Sequence, residues 1–232
     1  MVQPAGRPSP AASLSPWFVG IVALFVTCLI VSNIIAVKLF TVLGHPLPAA
    51  VIVFPLTYIF GDVLTEVYGY RRAQQVIWLG FLCNLVAVGA IYAGQLLPPA
   101  GFWDGQAAYE RILGYSPRLL LGSFVAYLAG ELLNAAVLAR MKLLTRGRWL
   151  FSRTIGSTLA GQAADSAVFL SIAFAGTDVP LGSLILSQWA FKVVFEALAT
   201  PLTYGVVGFL KAREGMDIYD AQVSLNPFRL WS

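Results

Sequence analysis

What most constrains this chain is a succession of six apolar runs, each about 20 residues or longer, joined by short polar links. In hydrocarbon every backbone N–H and C=O must find a partner inside the protein, so a run of this length spans as an α-helix. The runs are Trp17–Leu43, Ala49–Tyr68, Ala73–Leu97, Pro117–Met141, Thr154–Ala175 and Leu181–Leu210. The expected fold class is therefore an all-α integral membrane protein with six transmembrane helices. Composition supports this, because a chain of 232 residues that is 58% hydrophobic and only 11% charged has too little charge to cover a soluble domain. Residues 1–16, rich in Pro, Ala and Ser, read as a disordered tail, residues 17–213 as the transmembrane domain, and residues 214–232 as a second tail. The first run exceeds a signal-peptide core and has no small-residue cleavage pattern after it, so it is expected to remain as a helix.

The basic residues fix an expected orientation. Arg71 and Arg72 fill the link after the second run, Arg140, Lys142, Arg146, Arg148 and Arg153 the link after the fourth, and Lys211 and Arg213 follow the sixth. The alternate links hold a tight Gly44-His45-Pro46 turn, a mixed segment from Pro98 to Ser116 with Trp103 and Tyr109, and a short stretch with Asp178. Lys and Arg mark the cytoplasmic side, which puts both termini inside and the aromatic 98–116 segment on the outer interface. The net charge of +4 thus belongs to membrane topology and calls for no nucleic acid. Cys28 and Cys83 lie within apolar runs, where thiols behave as small hydrophobes.

Polar side chains inside the runs carry the functional signal, since each is costly in hydrocarbon unless it faces a partner, a ligand or a wet cavity. The fifth run places Gln162 and Asp165 three residues apart, flanked by Gly156, Ser157, Ala160, Gly161 and Ala164, small enough to admit a neighbouring helix. The fourth run carries Glu131 and Asn134 at the same spacing. The second has Tyr58, Asp62 and Glu66 on one face. Glu66 is expected to pair with Arg71 and Arg72, whereas Asp62 has no evident cation. The sixth contributes Lys192, a candidate partner for Asp165 or Glu131, with Glu196 one turn on, and the first contributes Asn33, with Lys38 snorkelling outward. Pro-Leu-Thr-Tyr occurs at 55–58 and again at 201–204, too short in this composition to establish a repeat. No cofactor or metal is called for. No H-E-x-x-H or G-x-S-x-G motif is present and the single His45 sits in an outer turn, which argues against an enzyme.

The stretches SNIIAVK (Ser32–Lys38), FPLTYIFGDVLTEVYGYRRA (Phe54–Ala73), GELLNAAVLARMK (Gly130–Lys142), RTIGSTLAGQAADSAVF (Arg153–Phe169) and KVVFEALATPLTY (Lys192–Tyr204) resemble the queuosine precursor transporter family, also described as vitamin uptake transporters. The likeness runs from Ser32 to the closing Asp217-Ile218-Tyr219-Asp220 and Asn226-Pro227-Phe228. Some members of the family carry an acid where this chain has Asn134. The resemblance implies import across the cell (inner) membrane of a 7-deazaguanine, such as 7-cyano- or 7-aminomethyl-7-deazaguanine or queuine, by a bundle similar to the substrate-binding subunits of energy-coupling factor transporters. A guanine-like base offers adjacent N–H donors and a carbonyl on one edge. The candidate edge readers are Asp165 and Glu131, supported by Gln162, Asn134 and Lys192, with Phe54 and Tyr58 as stacking surfaces. Asp62, Asn33 and Glu196 complete the candidate set. The alternative is a binding subunit of an ATP-driven importer, because the chain has no G-x-x-x-x-G-K-[ST] loop of its own. Either form is compatible with a homo-oligomer.

Overall fold

Ser15 opens the first helix, its Oγ accepting from the Trp17 N–H at 3.1 Å. Pro16 takes the first helical position, where a missing N–H costs nothing. The computed structural model describes residues 15–42, 45–114, 117–174, 176, 181–220 and 226. The expected tail at residues 1–14, Gly44 of the expected turn, Asp178, and Pro227 and Phe228 lie outside them.

The helices are α1 (Pro16–Ile35), α2 (Phe54–Val63), α3 (Tyr70–Leu96), α4 (Gln106–Leu113), α5 (Pro117–Leu144), α6 (Leu150–Phe174) and α7 (Leu181–Glu214). Helix α1 ends eight residues before the expected Leu43, and strands β1 (Leu39–Val42) and β2 (His45–Pro48) pair antiparallel in its place, Leu39 opposite Pro48 and Val42 opposite His45. Val37, Thr41 and Val42 favour extended backbone, and Pro46 and Pro48 cannot donate into a helix. His45 and Pro46 thus belong to a strand rather than to the expected turn, and among the described residues the fold is all-α apart from this strand pair.

The second expected helix is built in three pieces. A 3-10 turn at Ala49–Ile52 leads into α2, where Pro55 sits in the first turn, and α2 runs into a π-helical turn at Leu64–Tyr68. Gly69 stops it at φ +86°, and a Cβ there would meet Ile218 Cγ2 at 2.9 Å. Only glycine fits both the backbone and the space.

Among the described residues four helices are long and apolar enough to cross a bilayer: α1, α3, the Leu120–Leu144 part of α5, and α7. Helix α6 has the length, 25 residues, but Gln162 and Asp165 lower its apolar character. Large apolar side chains face outward on these helices, Val86 at 63% and Leu198 at 77% exposed. That is the surface a lipid-facing helix requires. The core lies inside, with Phe25, Leu29, Val63, Leu64, Val67, Tyr70 and Ile77 almost wholly buried.

Helices α5 and α6 form the most extensive pairing. A Cβ on Gly161 would lie 2.7 Å from Asn134 Cβ and 2.9 Å from the Gly130 carbonyl, so the two backbones approach as closely as small residues permit. The short α4 folds back on α3, where the Tyr109 hydroxyl donates to the Ile91 carbonyl at 3.0 Å.

At one end of the bundle Glu66, fully buried, gathers three cations. Its Oε1 lies 3.1 Å from Arg153 Nη2, 2.7 Å from Lys211 Nζ and 3.7 Å from Lys142 Nζ. The expected partners Arg71 and Arg72 are not there: Arg71 is exposed and Arg72 lies over the Phe18 ring, 5.5 Å from its centroid. The turn at Gly69 redirects the chain and carries both arginines away. Lys142 ties this end to the segment after α7, donating to Asp217 Oδ1 at 2.6 Å and to the Ile218 carbonyl at 2.7 Å. Burial alone would raise the Asp217 carboxyl, but hydrogen bonds from Lys142 and Lys211 outweigh it and hold it below its ordinary value. Asp220 Oδ2 accepts from the Tyr70 N–H at 2.9 Å and caps the start of α3.

Removing one partner of a buried ion cluster leaves the others uncompensated, which costs about 3–5 kcal/mol. Glu66→Ala should therefore lower the thermal midpoint of the purified protein in detergent far more than Glu110→Ala on the exposed face of α4. Equal midpoints for the two variants would show that the cluster does not hold the bundle.

Candidate functional site

A cavity of about 670 Å³ opens between the helices, within the range of small-molecule sites at about 300–1,000 Å³. Helical spacing builds its walls. Leu29, Ser32, Asn33 and Ala36 present one stripe of α1, Gln162, Asp165 and Phe169 one stripe of α6, and Gln188, Phe191, Lys192, Phe195 and Glu196 one stripe of α7. Phe54 and Pro55 enter from the start of α2, Asn84 from α3, and Ser123, Ala126 and Tyr127 from α5.

The charged element of the wall is an ion pair between Lys192 Nζ and Asp165 Oδ2, its side chains 16% and 9% exposed. Lys192 also lies over the Phe54 ring, 5.0 Å from its centroid, a cation–π contact that holds the ammonium at the rim of an aromatic wall. Phe54 leans on Tyr58 at 5.5 Å between centroids. Gln162 is 2% exposed and its Oε1 has no partner among the described residues. Asn33 donates to Asn84 Oδ1 at 3.1 Å, joining α1 to α3 at the cavity. The Tyr127 hydroxyl donates to the Ile77 carbonyl at 3.0 Å, which orients its ring.

Of the ten residues expected from sequence, Asn33, Phe54, Gln162, Asp165, Lys192 and Glu196 line the cavity. Tyr58, Asp62, Glu131 and Asn134 do not: each is 1% exposed and sits behind the wall, among α2, α5 and α6. The reason is the α5–α6 contact at Gly130 and Gly161, which turns the Glu131 and Asn134 face of α5 toward α2, where Asn134 Nδ2 donates to Asp62 Oδ1 at 2.8 Å. Asn84 and Gln188 line the cavity and were not among the expected residues. The signal that marked Asp165, a polar side chain within an apolar run, also marks Asn84. The aromatic walls Phe169, Phe191 and Phe195 carry no such signal, because phenylalanine is common throughout spans.

A bundle of apolar helices with a polar-edged, aromatic-walled chamber among them defines a multi-pass membrane protein built to hold a small molecule. The family described as "Putative vitamin uptake transporter" matches residues 48–206, from the end of β2 into α7, and the chain belongs to that family. Over 177 residues it is 29% identical to the "Probable queuosine precursor transporter" of Bacillus subtilis strain 168, covering 75% of this chain and 77% of that protein. It is 27% identical over 159 residues to the "Queuosine precursor transporter" of Escherichia coli strain K12, covering 66% and 69%. A Haemophilus influenzae protein named "Probable queuosine precursor transporter" is 26% identical over 159 residues, covering 66% and 65%. No solved structure matches the chain. Membership makes the protein a transporter and not an enzyme.

The Lys192 and Asp165 pair has a stability signature. Lys192→Met strands a buried carboxylate and should lower the thermal midpoint, at a cost of about 3–5 kcal/mol. The double variant Lys192→Met/Asp165→Leu should regain most of that loss, because an apolar pair of similar volume replaces a buried ion pair at little cost. A double variant no more stable than the single one would mean that Asp165 is neutralised by something other than Lys192.

Proposed function

We propose that this protein imports queuosine precursors, 7-deazaguanines such as 7-cyano-7-deazaguanine, 7-aminomethyl-7-deazaguanine or queuine, for tRNA modification. The observation that carries the reading is the Asp165 and Lys192 pair set in an aromatic-walled cavity, in a chain whose named relatives are queuosine precursor transporters. A guanine-like edge offers a carbonyl acceptor beside a ring N–H and an exocyclic amine. Lys192 can donate to the carbonyl while Asp165 accepts from the two N–H groups, and Gln162 supplies a further acceptor through its unpartnered Oε1. Phe54, Phe191 and Phe195 offer surfaces for the flat faces of the ring. The cavity's apolar remainder excludes water and strengthens each of these bonds.

The test is direct. In a host that cannot make 7-deazaguanines but can complete the modification, expression of the chain should restore queuosine in tRNA at low external precursor. Asp165→Asn keeps the shape but turns a donor amide toward the donor edge, leaving both unpaired at about 1–3 kcal/mol each. Precursor affinity should fall at least about tenfold, the ratio that corresponds to 1.4 kcal/mol. Restoration that needs as much precursor as an empty vector would remove the substrate reading, and normal affinity in Asp165→Asn would remove Asp165 from the edge.

The family's description as a vitamin uptake transporter favours a second reading, in which the chain is the binding subunit of an ATP-driven energy-coupling factor importer. Uptake by the purified chain alone in liposomes separates the two, since a binding subunit needs its ATPase module.

The same reading sets six crossings in the inner membrane, formed by α1, α2 with its flanking turns, α3, α5, α6 and α7, with both termini cytoplasmic. The basic residues beside the Glu66 cluster support this orientation. Single cysteines introduced beside Arg72 and Arg148 should be shielded from an impermeant thiol reagent in intact cells, and one beside Asp104 should react. The reverse labelling pattern would invert the topology.

A further inference from the structure

Behind the cavity the bundle buries acids that have no ion pair among the described residues. Glu131 on α5 is 1% exposed and neither of its carboxyl oxygens has a hydrogen-bond partner among the described residues. Asp62 on α2, also 1% exposed, takes one hydrogen bond from Asn134 and leaves Oδ2 without a partner. The charged and titratable groups facing Glu131 come from every neighbouring helix: Asp62 and Tyr58 from α2, Asp165 from α6 and Glu196 from α7, with Tyr127 one turn back on α5. Glu66, one turn beyond Asp62, faces Asp62 in the same way. The cation within this set, Lys192, is engaged with Asp165, and Arg153, Lys142 and Lys211 are engaged with Glu66.

Two further observations point to a ligand at this place. The Tyr58 hydroxyl, on a side chain 1% exposed, has no partner and lies 3.3 Å from where a Cβ of Gly130 would stand, beside Glu131 in the chain. Gly61 leaves room for the acid itself, since a Cβ there would sit 3.0 Å from Glu131 Oε2. A buried carboxyl and a buried hydroxyl thus both stand without a hydrogen-bond partner among the described residues. Like charges this deep cannot all ionise, and a carboxyl without a cation or a donor is held neutral by a proton. A proton is the ligand that such a carboxyl takes most directly.

The positions of the acids also make a route. Glu196 lines the cavity, Glu131 and Asp62 lie behind its wall, and Glu66 sits at the basic end of the bundle. We propose that Glu131, relaying through Asp62, carries a proton between the cavity at Glu196 and the basic end at Glu66, so that substrate uptake is driven by a proton gradient. The inference rests on the reading of the chain as an importer, and it assigns to Glu131 and Asp62 energy coupling rather than contact with substrate. One proton binds and one is released per cycle, and no other reactant is consumed.

The full chain, purified and reconstituted in liposomes, tests this with two readouts. The first is accumulation of labelled 7-cyano-7-deazaguanine under an imposed gradient of one pH unit, divided by the same preparation's exchange rate without a gradient so that general loss of activity cancels. At one proton per substrate the gradient should raise accumulation about tenfold, because one pH unit is a tenfold ratio of proton activity. In Glu131→Gln and Asp62→Asn the stimulation should vanish. The second readout needs no substrate: infrared difference spectra should contain the carbonyl stretch of a buried protonated carboxylic acid, lost in Glu131→Gln. Exchange that proceeds normally with no effect of the gradient overturns the proposal, as does stimulation that survives both substitutions. Absence of exchange together with the Glu131 acid band would support the proton site and overturn the choice of substrate. If Glu131→Gln does not accumulate, the wild-type gradient response and Asp62→Asn decide.

Discussion

A charge taken out of water must be compensated, and the way each buried acid of this bundle is compensated sorts it by role. Glu66 receives three cations at one oxygen, from α5, α6 and α7, and Lys142 extends the network to the segment after α7. Desolvating an ion costs several kcal/mol, and only close, multiple partners offset that cost. Glu66 satisfies this condition, so the cluster fixes how α2, α5, α6 and α7 meet at one end. The Gly69 turn and the Asp220 cap on α3 depend on the same meeting, because Lys142 holds the Ile218 carbonyl there, two residues before Asp220.

Moving from that end toward the cavity, compensation falls away. Among the described residues Asp62 has an amide, Glu131 has no hydrogen-bond partner, and Asp165 has one lysine that also leans on an aromatic ring. An arrangement selected for stability alone would neutralise every one of them or replace them with apolar residues, which is often neutral or favourable. Acids left partly compensated are the ones a substrate or a proton can act on. On the two proposals above, this gradient in compensation would divide the bundle into a fixed end and a responsive middle.

Much of this was legible in the sequence, and the failures have physical causes. The long helices followed from apolar length, and the cavity's polar edge from Gln162, Asp165, Lys192 and Glu196, because period and hydropathy are local properties of the chain. Proximity in sequence favours Arg71 and Arg72 as the partners of Glu66, whereas the π turn and Gly69 bring it to Arg153 and Lys211 from far along the chain. The end of α1 is not legible in its apolar run, which does not distinguish a helix from short paired strands unless its prolines and β-branched residues are weighed against its length. Equal spacing groups Glu131 and Asn134 with Gln162 and Asp165, but spacing gives a face and not the neighbour that the face meets. The Gly130 and Gly161 contact decides that, and it turns them toward α2.

The ion pair at the cavity explains why the site uses a lysine and an acid together rather than an acid alone. A lone carboxylate in this wall would bind a donor edge strongly, but it would stay buried and uncompensated whenever the cavity was empty. Lys192 neutralises Asp165 in that state, and its ammonium keeps further N–H groups with which to meet an acceptor. On the proposed function, substrate would exchange one set of charge-assisted hydrogen bonds for another, so the bound and empty states would stay close in free energy. A carrier needs that balance, because a site that bound its cargo too tightly would not release it.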